Sequence, residues 1–364
     1  MQNSYINPSR VINSSDFRDI SVQWSSPSNI ALVKYWGKYG RQLPSNPSVS
    51  FTLEKARTEM KVFCTLKKDS SDNKPSVMLF FEGQRNEKFE GRISAFLESV
   101  TDIFPFLKQL QLQINSKNSF PHSSGIASSA SSMSALALCL CDIEREIFQD
   151  GVVEDFYQKA SFVARLASGS ACRSVYPVAA VWGKTSAVPE SNNEFGISVG
   201  EKLHPIFTSF KDAILVLSDR AKSVSSSVGH GLMENHPFAT QRFLIAEKNM
   251  QRIMHALAKG ETEEVGEIIE SEALMLHAMM MTSNPSYILF EPTTIAVINE
   301  IRNFRRDTGI PCYFTLDAGP NVHLLYPESH SAEVEDFINS RLIKYCVPGK
   351  SIFDRCGKGP YKLV

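Results

Sequence analysis

The chain has 364 residues, 43% hydrophobic and 21% charged, with a mean hydropathy of -0.15; this excludes a long disordered or collagen-like chain and suits about two ordinary domains. Thirty-eight Lys and Arg residues against 39 Asp and Glu residues leave a net charge of -1, so no global basic field exists to hold nucleic acid or an anionic membrane. Any cationic site must be local.

The first thirty residues contain no signal-like apolar run, and no stretch of about 20 apolar residues occurs to span a bilayer. Seven cysteines without a C-x-x-C pair suit reduced thiols, so a cytoplasmic protein without membrane or nucleic-acid partners is expected.

Along the chain, residues 1–20 read as irregular. Short strands are predicted at Val49 to Leu53, Met60 to Leu66, Val77 to Glu82 and Leu110 to Asn115, with a helix over Gly91 to Val100. A small-residue loop then feeds a long buried helix carrying Met133, Leu136, Ala137, Leu140 and Ile143. A second helix is expected from Val153 to about Leu166, followed by a polar turn over Ser168 to Arg173 and strands at Val178 to Trp182 and Ile214 to Ser218. Helices over Pro237 to Ala258, Glu263 to Met281 and Pro292 to Thr308 precede two strands, Cys312 to Leu316 and Val322 to Tyr326. A boundary near residue 205 divides the chain into an irregular segment 1–20, a domain 21–205 and a domain 206–364.

Four segments carry candidate chemistry. In Phe120 to Ala130, eight of eleven residues are Ser, Ala, Gly or Pro. Such a loop opening a helix presents bare N–H groups to an anion such as phosphate, and equally serves as a Ser-rich cap. Asn29 to Lys38 places Lys34, Tyr35 and Lys38 just beyond an apolar strand, where both ammonium groups reach one anion or simply meet solvent. Ser168-Gly-Ser-Ala-Cys-Arg173 joins two hydroxyls to a guanidinium, which suits a carboxylate or phosphate but also a plain turn. Asp317-Ala-Gly-Pro-Asn321 offers a carboxylate in a tight loop, as a general base or as a turn former. Cys172 has no partnering histidine in sequence, the eight histidines form no metal-ligand pattern, and Met279 to Met281 read as core packing.

In this order the four segments resemble the motifs of the diphosphomevalonate decarboxylases, within the superfamily of galactokinase, homoserine kinase, mevalonate kinase and phosphomevalonate kinase (GHMP). The likeness spans Val22 to Tyr326. It implies an α+β, two-domain GHMP-kinase-like fold, with an N-terminal α/β domain similar to domain 2 of ribosomal protein S5 and a C-terminal ferredoxin-like α+β domain. It also implies ATP-dependent decarboxylation of mevalonate 5-diphosphate to isopentenyl diphosphate, with ATP and Mg²⁺ as cofactors and a homodimer as the expected assembly. Carried over residue by residue, Asp317, Lys34 and Arg173 would be catalytic. Asn29, Tyr35, Lys38, Ser168, Ser170 and Arg173 would bind substrate. Ser123, Ser124, Gly125, Ile126, Ala127, Ser128 and Ser129 would wrap the ATP phosphates, with Ser129 next to the metal and Ser225 and Ser226 on the nucleotide side. Arg85 is the candidate for the distal phosphate. The alternatives are a phosphomevalonate decarboxylase, a mevalonate-phosphate 3-kinase, or a non-catalytic sensor on the same fold.

Overall fold

The computed structural model describes residues 5–68, 73–120, 128–149, 156–220, 224 and 226–363, without the side chains of 226 and 227. It opens with β1 (Ile20–Ala31), a short hairpin of β2 (Lys38–Tyr39) and β3 (Leu43–Pro44), and β4 (Ser48–Leu66). Then come β5 (Ser76–Phe81), β6 (Gln84–Arg85), α1 (Glu87–Ser99), β7 (Leu110–Asn118), α2 (Ser128–Phe148), α3 (Phe156–Ala167), β8 (Ala179–Trp182) and β9 (Ile197–Ser198). The second half holds α4 (Pro205–Thr208), β10 (Lys211–Leu215), α5 (Ser226–Gly231), α6 (Ala239–Lys259), α7 (Thr262–Met281) and α8 (Pro292–Thr308). It closes with β11 (Tyr313–Thr315), β12 (Val322–Tyr326), α9 (Ser331–Phe337), β13 (Ile352–Arg355) and β14 (Tyr361–Leu363).

Among the described residues, eight strands form one sheet, in the order β14-β1-β4-β7-β5-β6, with β8 and β9 branching from β4. The second sheet has four antiparallel strands, β11-β12-β10-β13. The mixed α+β architecture agrees with the expected fold class. The helix α2 lies against β1 and β4, and its midsection from Ala130 to Glu144 is buried throughout. Between the two sheets a shared core packs Ile30 and Phe51 against Ile214, Met250, Ile269 and Tyr313, which brings the ends of β1 and β11 to a common crevice.

Where two strands were expected between Val49 and Leu66, one continuous strand runs. The polar stretch that reads as a break is held extended by a distant carboxylate: Asp354 accepts the backbone N–H groups of Glu54, Lys55 and Ala56 at 3.0, 2.8 and 2.8 Å. The expected turn over Ser168 to Arg173 is instead a 3₁₀ helix, Gly169–Val175, wound tightly because Ala171, Cys172 and Val175 are all buried. The start of the helix expected from Val153 lies outside the described residues. α8 matches its expected bounds, since Pro292 opens it and Gly309, at φ +72°, ends it in the left-handed conformation that glycine adopts freely. Met279 and Met280 are core, whereas Met281 is exposed. No helix of the described residues is long and apolar enough to cross a membrane.

Candidate active site

A cavity of about 520 Å³ lies in the crevice between the two sheets. Its positive charge comes from Lys34, Lys38, Lys88, Arg92 and Arg173, against the single carboxylate of Asp317 among the described lining residues. With the chain near neutrality, this is a local field that selects an anionic ligand.

Lys34 stands just past the end of β1, and Asp317 stands on the connection from β11 to β12. Their tips meet, with Nζ 3.0 Å from Oδ1. Burial pushes the Lys34 ammonium below its ordinary pKa; Asp317 works against that shift, while Arg173 adds to it. The backbone of Lys34 is gripped as well. Its N–H donates to Glu272 at 2.8 Å, and its carbonyl accepts from Asn46 at 2.9 Å and Arg242 at 3.1 Å. Arg242 and Glu272 are themselves a buried ion pair between α6 and α7, and Asn249 donates to the same carboxylate. On the other side, His277 bonds the Asp317 carbonyl at 3.1 Å, and Asn321 anchors its loop to Leu217 and Ser218.

Arg173 projects from the 3₁₀ helix and is 1% exposed. Its Nε donates to Ser50 at 2.9 Å and its Nη2 to Asn29 at 3.3 Å, while Nη1 is buried with no hydrogen-bond partner among the described residues. A buried guanidinium donor left open in a cavity is a place for an anionic oxygen. Asn29 holds that guanidinium in place, its own amide donating to Ser174 at 2.8 Å and to the Ser170 carbonyl at 3.2 Å.

Tyr35 lines the cavity edge-on to Trp182, with centroids 4.7 Å apart, and burial pushes its phenol pKa up. Gly169 permits that packing, because a Cβ there would stand 2.8 Å from Trp182 and 2.9 Å from the Tyr35 hydroxyl. Lys38 donates to Gln42 at 3.0 Å and is shifted down by burial. Ser168, Ser170, Ser128 and Ser129 also line the cavity, the last two opening α2. Cys172 is buried and pushed up to about 12 by burial, so it is no nucleophile.

The structure therefore brings Lys34, Arg173 and Asp317 into one cavity with Asn29, Tyr35, Lys38, Ser168, Ser170, Ser128 and Ser129. Ser123, Ser124, Gly125, Ile126, Ala127 and Ser225 lie outside the described residues, as does the side chain of Ser226. Arg85 is not among the lining residues; it sits on the exposed β6 and pairs with Glu90 at 2.9 Å. The cations on that wall are Lys88 and Arg92, which sequence reasoning missed although their spacing of four puts them on one face of α1. Among the described residues no group of three or more His, Cys, Asp or Glu residues is placed to cage a metal. Such a lining fits a magnesium ion that arrives on nucleotide phosphates and keeps much of its water.

Comparison with known proteins gives a consistent result. Residues 26–193 match the diphosphomevalonate decarboxylase-like N-terminal domain, and residues 213–356 match the mevalonate 5-diphosphate decarboxylase C-terminal domain. A diphosphomevalonate decarboxylase from Candida albicans is 27% identical over 349 residues, covering 90% of each chain. The crystal structure of mevalonate diphosphate decarboxylase from Staphylococcus aureus superposes with a TM-score of 0.81 at 25% identity, covering 97% of this chain and 100% of that one. A structure of MDDEF in complex with MVAPP, AMPPCP and magnesium superposes with a TM-score of 0.78 at 26% identity, covering 95% and 99%.

Proposed function

Since the chain belongs to the diphosphomevalonate decarboxylase family, we propose that its cavity carries out ATP-dependent decarboxylation of mevalonate 5-diphosphate to isopentenyl diphosphate, releasing ADP, phosphate and CO₂. The observation that carries the assignment of roles is the open Nη1 of Arg173 in the same cavity as the Lys34–Asp317 pair.

Asp317 faces the substrate's tertiary hydroxyl and accepts its proton as that oxygen takes the γ-phosphoryl group of ATP. Lys34, 3.0 Å from Asp317, keeps the carboxylate ionised and oriented before the transfer. The new phosphate ester then leaves with the C–O bonding pair. The substrate carboxylate departs as CO₂, and its C–C bonding pair becomes the alkene. Arg173 orients that carboxylate through a group with one donor to spare, and the positive cavity stabilises phosphoryl charge. Such a site works by placement and electrostatics, and no activated nucleophile stands among the described lining residues. Magnesium, when bound, neutralises charge on the nucleotide phosphates. Ser128 and Ser129 contribute hydroxyls at the phosphate end, and Lys38, Lys88 and Arg92 hold the diphosphate tail.

All seven cysteines are free and buried, which supports the cytoplasmic setting read from their spacing. The test is incubation of the purified protein with ATP, Mg²⁺ and mevalonate 5-diphosphate or its monophosphate. CO₂ release with the diphosphate is the expected result. ADP without CO₂ would mark a 3-kinase, CO₂ from the monophosphate alone would move the substrate, and neither product would mark a sensor.

A further inference from the structure

His230, on α5, was not singled out by the sequence, yet it lines the cavity with Lys38. Its ring lies between Tyr35 and Trp36, with centroids 4.3 and 4.5 Å away. Two glycines make the seat. A Cβ at Gly229 would stand 2.5 Å from the Trp36 ring, so only glycine lets α5 come this close. Gly37, at φ +96°, directs its backbone N–H at Nδ1 of His230, 3.0 Å away.

That bond decides the tautomer. A backbone donor facing Nδ1 makes that nitrogen an acceptor, so in the neutral ring the hydrogen sits on Nε2. No hydrogen bond to another described residue engages Nε2, and the ring borders the cavity. Burial, with Lys38 adding repulsion, holds the imidazole pKa down to about 3, so the ring is neutral throughout the working range.

We propose that the Nε2–H of His230 is a fixed, uncharged donor that binds a phosphoryl oxygen of the substrate's phosphorylated tail, beside the Lys38 ammonium. The inference rests on the function proposed above and adds to it a residue that reads the tail by direction. The Lys38 ammonium attracts any nearby anion, whereas a ring wedged between two aromatic rings and pinned at Nδ1 rewards only an oxygen lying along Nε2–H. Because the donor is neutral, it adds this selectivity without a further buried charge.

The test compares His230→Phe, which keeps the ring shape and loses the donor, with His230→Gln, whose amide nitrogen restores one. With mevalonate 5-diphosphate, the Phe variant is expected to raise KM roughly ten- to a hundred-fold, the range for a hydrogen bond to a charged group, with the loss falling on KM rather than kcat. The Gln variant should recover most of that loss, and the KM for ATP should not move. Equal KM values for the wild type and the Phe variant would overturn the role of His230. Absence of CO₂ release from the wild type would instead overturn the function. If the Phe variant fails to fold, nitrogen NMR of the wild-type imidazole decides: on titration with inorganic pyrophosphate, Nε2 should shift while Nδ1 stays, and an unmoved Nε2 would overturn the proposal.

Discussion

The backbone N–H of Lys34 donates to the carboxylate of Glu272 at 2.8 Å, across 238 positions of sequence. Through this contact, a helix of the second half holds the lysine that meets Asp317 in the crevice between the two sheets. Glu272 is fully buried and also takes Arg242 and Asn249. Replacing it with Gln leaves the Arg242 guanidinium buried and uncompensated, so Glu272→Gln is expected to cost about 3 kcal/mol of stability. Urea denaturation of the variant beside the wild type measures it.

Asp317→Asn keeps the shape of the side chain and removes both the proton acceptor and the partner of Lys34. Turnover should fall about 10²- to 10⁴-fold, the usual share of a positioned base, while the KM for ATP holds. Single-turnover CO₂ release reads this, and near-normal turnover would remove Asp317 from the chemistry.

For Arg173, the open Nη1 predicts a contact that forms only when substrate is bound. Arg173→Gln should lower kcat/KM about 10- to 100-fold through loss of a charge-assisted bond. Steady-state kinetics at constant ATP tests it, and an unchanged kcat/KM would show that the carboxylate lies elsewhere.

Gly169→Ala is a purely steric test. The added methyl would meet the Trp182 ring at 2.8 Å and the Tyr35 hydroxyl at 2.9 Å, against a rigid aromatic pair rather than a flexible tip. We expect overpacking of about 1–3 kcal/mol and weaker substrate binding as Tyr35 is displaced. Calorimetric binding of the substrate together with thermal unfolding separates the two effects.

His230 predicts an acid limb in stability. Its folded pKa, about 3, lies below the ordinary 6.5, so the unfolded chain binds a proton that the folded one refuses. The contribution is intact above pH 6.5 and is lost as pH falls from there toward 3. By pH 5 about 2 kcal/mol of it has been lost. His230→Gln should lack this component, which urea midpoints at pH 5 and pH 7.5 would reveal.

What could be read from the chain alone was whatever depends on neighbours in sequence. Hydrophobic period and end signals placed α8 between Pro292 and Thr308, and the buried stripe of α2 was evident in its apolar spacing. Four short motifs pointed to the family because each is a contiguous string whose chemistry needs adjacent residues. Tertiary structure decided what depends on distance in space. β4 runs unbroken because Asp354, some three hundred residues away, satisfies its backbone where local composition reads as a break. Arg85 and Arg92 look alike in sequence, but one is spent on Glu90 at the surface while the helical turn carries the other to the cavity wall. The network of Glu272, Arg242 and Asn249, and the seat of His230 between Tyr35 and Trp36, join elements that have no mark of one another in sequence. Burial and hydrogen-bond partnership belong to the folded chain, and they turn ordinary side chains into a site.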